Sequence, residues 1–80
     1  MSLSRTSRRA GAHTQLVDAV MDAYVTWREE SAAVTVTYEI WRRASRDGRP
    51  AAYDAYVAAL AREEHAAARY RDLIDRSSAR

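Results

Sequence analysis

The chain has 80 residues, with no cysteine, one proline and two glycines. That excludes disulfides and thiolate metal sites, and it disfavours a turn-rich all-β fold. Its 13 cations, all arginine, against 11 acids leave a net charge of +2, too mild for a chain that works by charge alone. At this length a chain buries only ~60 % of its unfolded surface, so a small helical domain gains most by associating with another chain.

No apolar run approaches the ~20 residues of a membrane span, so no membrane role is expected. The first dozen residues are basic but lack the apolar middle of a signal peptide. Arginine without lysine, beside abundant alanine, reads as GC-rich bacterial coding. The expected setting is the cytoplasm.

Residues 1–12 are rich in Ser, Arg and Gly and show no periodicity, so they are expected to form a disordered basic tail. The remainder, 13–78, reads as a helical hairpin. Thr14 suits an N-cap, and Asp18 in the next turn suits the positive end of a helix. The first helix is expected over about 14–46. Its seam is an unbroken seven-residue repeat, with Val17, Tyr24, Ser31 and Tyr38 in one column and Val20, Trp27, Val34 and Trp41 in the other. Val34-Thr35-Val36-Thr37-Tyr38-Glu39-Ile40 is β-branched and alternating, which is strand chemistry. The repeat runs through it unbroken and the chain offers no second strand, so helix is expected.

Arg42, Arg43 and Arg46 suit the negative end of that helix. Asp47-Gly48 supplies the stop, with Gly48 expected in the left-handed cap conformation. Pro50 opens a second helix, about 50–76, with the seam Tyr53, Tyr56, Leu60, Glu63, Ala67, Tyr70, Ile74 and with Val57 and Leu73 on its margins. So short a connection makes the helices antiparallel neighbours, residue i lying opposite residue 95 minus i.

The expected fold is therefore all-α, an antiparallel two-helix hairpin. Val25, Val36 and Ile40 lie outside the seam, so the apolar arc of the first helix is wider than one partner helix hides. Pairing of two hairpins into a four-helix bundle buries it, and a homodimer is expected. The core and interface residues are expected to be Val20, Tyr24, Trp27, Val34, Tyr38, Trp41, Tyr53, Leu60, Tyr70 and Ile74, with Ser31 and Glu63 as a polar notch. Ser31, Tyr24, Arg28 and Arg69 are the expected partners for Glu63.

Glu30, Glu63, Glu64 and His65 invite a di-metal reading, but that chemistry sets Glu and His three residues apart, and Arg62 stands three before His65. No metal, no cofactor and no catalytic residues are expected, because no nucleophile triad, phosphate loop or paired-histidine motif is present. The sequence reads as a non-enzymatic interaction or scaffold module, with an unidentified protein partner open beside the homodimer. The alternative is a nucleic-acid-associated regulator that reads phosphates with Arg5, Arg8 and Arg9 of the tail and Arg42, Arg43, Arg46 and Arg49 of the turn. A bundle metal-binding protein is third.

Overall fold

The described residues form two helices: α1, Ser2–Arg43, and α2, Arg49–Ser78. A computed structural model describes the backbone of residues 2–78 and the side chains of residues 11–78. The helices are 42 and 30 residues long and fold back on each other as a rod measuring 68 × 19 × 13 Å. Among the described residues there is no strand.

The run Val34–Ile40 is helical throughout. Its threonines help reconcile β-branching with the helix by turning back on it. Thr37 Oγ1 donates to the Ala33 carbonyl at 2.8 Å, and Thr35 Oγ1 to the Ser31 carbonyl at 3.4 Å.

Both ends of α1 differ from the sequence expectation. The helix begins at Ser2, not at Thr14, so residues 2–12 have helical backbone instead of an irregular tail. No proline interrupts that stretch, and a helix anchored by packing propagates at one hydrogen bond per residue. At the other end the helix stops at Arg43, and no described glycine has positive φ. The expected left-handed cap at Gly48 is therefore absent. Instead the Ala44 N–H donates to the Trp41 carbonyl at 3.2 Å, tightening the last turn. The Gly48 N–H donates to Ser45 Oγ at 3.4 Å, and the Gly48 carbonyl accepts the first α2 bond from Ala52 at 3.1 Å.

Tyr24 packs on Tyr70 and Tyr38 on Tyr56, so residue i of α1 is level with about residue 94 minus i of α2. The register agrees with the expected one to within a residue. The seam is rotated from the expected one by one column. Val20, Trp27, Val34 and Trp41 are half-buried, and the column beside them at the contact is Leu16, Ala23, Glu30, Thr37 and Ala44. On α2 the contact columns are Tyr56, Glu63 and Tyr70 with Ala52, Ala59, Ala66 and Leu73. Ala23, Ala59, Ala66 and Leu73 are the buried residues, and Ala59 is 0 % exposed. Small side chains let two helix axes approach closely, and the buried residues lie on the alanine side.

Tyr24, Tyr38, Tyr53 and Leu60, expected at the core or the interface, are exposed in the single chain, while Val34, Tyr70 and Ile74 are half-buried. Val25, Val36 and Ile40 are exposed on other sides of α1.

Candidate functional site

In an antiparallel pair, columns offset in the same sense from the contact lie on one side of the pair. Rotation toward the alanines therefore turns the bulky columns of both helices, Tyr24 with Tyr38 and Tyr53 with Leu60, onto one common face. All seven aromatic residues of the chain collect there, in two groups.

The groups are copies of one another. Trp27 stacks on Tyr70 at 5.6 Å and 13°, and Tyr24 leans on Tyr70 at 5.6 Å and meets Trp27 edge-on at 6.0 Å. Two heptads along, Trp41 stacks on Tyr56 at 5.4 Å and 15°, and Tyr38 repeats the other two contacts at 5.6 and 6.1 Å. Tyr53 joins the second group, 5.1 Å from Trp41. Stacked and edge-on pairs at these separations are favourable geometries. The heptad spacing of Tyr24, Trp27, Tyr38 and Trp41 is visible in the sequence, whereas the triads need both helices.

Between the triads the same three positions are filled by Ser31, Val34 and Glu63. Ser31 and Glu63, read from the sequence as a polar notch, are half-buried there. The bond of the notch is new: Trp27 Nε1 donates to Glu63 Oε2 at 2.7 Å, across 36 residues of sequence. None of the expected partners, Ser31, Tyr24, Arg28 or Arg69, makes a hydrogen bond or ion pair with Glu63. An indole N–H can only donate, and a carboxylate is the strongest acceptor available to it. The bond locks the indole ring in the plane that stacks on Tyr70.

The opposite face carries the ion pair between the helices, Arg62 Nε to Glu30 Oε2 at 2.9 Å. Glu30 and Glu63 thus serve different faces, and His65 is exposed. Among the described residues no three His, Asp or Glu side chains converge as a metal site would require.

The basic turn is partly engaged by its own chain. Arg42 and Arg43 both reach Glu39, at 2.9 and 3.6 Å, and the Arg49 guanidinium lies 5.7 Å from the centre of a Trp41 ring. The hydrogen bond from Arg42 holds the Glu39 carboxyl below its ordinary value, outweighing desolvation, with the Arg42 and Arg43 charges adding to it. Arg46 is exposed at the turn, and the side chains of Arg5, Arg8 and Arg9 lie outside the described ones.

Comparison with known proteins adds nothing to this geometry. No protein family, curated protein or solved structure matches the chain. Function has to be read from the aromatic face itself. Among the described residues, no helix is long and apolar enough to cross a membrane.

Proposed function

We propose that this chain is a non-enzymatic self-association module, whose hairpin pairs through its aromatic face with a second copy to form a four-helix bundle. One observation carries the reading. The bulky aromatic columns of both helices are on one face, and Tyr24, Tyr38 and Tyr53 remain 45, 42 and 47 % exposed there. Tyrosine and tryptophan combine an apolar body with a polar tip, the composition that protein interfaces favour over open surface.

Surface area supports the same reading. The chain exposes 6544 Å², whereas a compact monomer of 9.0 kDa exposes about 4,900 Å². Val25, Val36 and Ile40 elsewhere on α1 add to the exposed apolar area, beside Tyr24, Tyr38, Tyr53 and Leu60 of the aromatic face. A second hairpin laid on that face supplies the two helices a bundle core requires.

Sedimentation equilibrium at micromolar concentration tests the proposal. The expected mass is twice 9.0 kDa, with a melting temperature that rises with protein concentration, as dimer dissociation requires. A stable single-chain mass, with melting independent of concentration, overturns it.

A further inference from the structure

Resting on the self-association reading, we infer that the two copies meet with their turns at the same end, so that α1 of each lies against α2 of the other, held in that orientation by Arg28 facing Glu64 of the partner subunit.

The choice is between two arrangements, because a face-to-face pair of hairpins with its helices aligned can have its two-fold axis in only two directions. An axis along the helices keeps every residue at its own level and brings the partner's α2 over α1. An axis across the helices reverses direction, placing α1 on α1 and α2 on α2.

The margins of the aromatic face distinguish them. One residue on from the column Val20, Trp27, Val34, Trp41 is about 100° further round the helix. That step names the outer column of α1 as Met21, Arg28, Thr35 and Arg42. The same step from Tyr56, Glu63 and Tyr70 names the outer column of α2 as Val57, Glu64 and Arg71. All seven are exposed. Neither Arg28 nor Glu64 has an ion-pair partner among the described residues.

With the axis along the helices, symmetry allows no sliding, so each level meets itself. Arg28 and Glu64 stand nearly at the level where Glu30 and Arg62 pair on the opposite face at 2.9 Å. Arg28 then meets the partner's Glu64 twice per dimer. Thr35 meets the partner's Val57, Met21 meets the aliphatic stem of the partner's Arg71, and no like charges are opposed along this margin.

With the axis across the helices, the α1 margin meets itself, bringing arginines and no acid. If both aromatic triads are to be covered, Glu64 comes beside its own counterpart. Sliding Glu64 toward the partner's Arg71 instead leaves the Tyr38, Trp41, Tyr56 triad uncovered. Rim charges of this kind contribute modestly to affinity, but they choose between arrangements of equal apolar area.

The test uses two charge-reversed chains, R28E and E64R. Each alone sets like charges together at both rim contacts, and its dimer dissociation constant should rise about tenfold. Mixed in equal amounts, they regain opposite charges at both contacts, and the heterodimer should return to within about threefold of the unaltered chain. A second measurement does not depend on charge. The chain has no cysteine, so R46C takes a single nitroxide label at the turn. Turns at one end give a label separation of about a bundle width, 20–30 Å, and turns at opposite ends give more than about 40 Å. Failure of the mixture to recover, or the longer label distance, overturns the orientation and leaves self-association standing. A single-chain mass for the unaltered protein removes both.

Discussion

The Trp27 indole N–H and the Glu63 carboxylate, 36 residues apart in sequence, meet at 2.7 Å across the two helices. This bond sets a carboxylate between two aromatic triads, beside Ser31 and Val34. It orients Trp27 in the single chain, and on the proposed dimer it sits near the two-fold, where a second Glu63 arrives with the partner. Glu63→Gln keeps an oxygen to accept the indole proton and removes the charge. The dimer dissociation constant should fall several-fold at neutral pH, with helix content unchanged by circular dichroism. An unaltered constant would place Glu63 outside the interface.

The contact on the alanine side should tolerate no added bulk. Ala59 is 0 % exposed, packed where α2 meets α1. Ala59→Leu must push the helices apart or force a strained rotamer, at ~1–3 kcal/mol in chemical denaturation. The same replacement at the exposed Ala58, one residue away, should be near neutral. Equal effects at the two sites would show that the hairpin packs through a different face.

Gly48 is replaceable. Its φ is not positive, and an added Cβ would meet only Ser45, at 3.6 Å from Oγ. Gly48→Ala should therefore leave thermal stability unchanged or raise it by up to ~1 kcal/mol through the unfolded chain. A marked loss of stability would point to the left-handed cap that Asp47-Gly48 suggests in the sequence.

Acid should loosen the end of α1. The carboxyl of Glu39 is held below its ordinary value first by the hydrogen bond from Arg42. A lowered folded value means that the contribution is present above the unfolded value and is lost as pH falls through the folded one. Side-chain NMR titration should place Glu39 below the ordinary value of a glutamate, and Glu39→Gln should abolish any fraying of the α1 C-terminus that acid induces. Both carboxylate and arginines are solvent-exposed, so the effect on global melting should be small.

Residue spacing alone determines much of the fold. The seven-residue repeat from Val17 to Trp41 makes a long helix of a stretch whose local chemistry at Val34–Ile40 favours a strand. The short run from Asp47 to Arg49 makes a hairpin, and its length places the register within one residue. Glu63 stands out because a carboxylate interrupts an apolar column.

The tertiary structure decides which way each helix is rotated. On α1 the column Val20, Trp27, Val34, Trp41 has two neighbours at similar angles, Tyr24 with Tyr38 on one side and Ala23 with Thr37 on the other. Hydrophobicity summed along one helix favours the tyrosines, and the sequence expectation follows it. Close approach requires small residues at the contact, and Ala59 and Ala66 of α2 are buried against α1 when it presents the column of Ala23 and Thr37. That match belongs to the pair of helices, so the pattern of neither helix alone contains it. The same rotation that closes the alanine contact leaves the tyrosines on the open face.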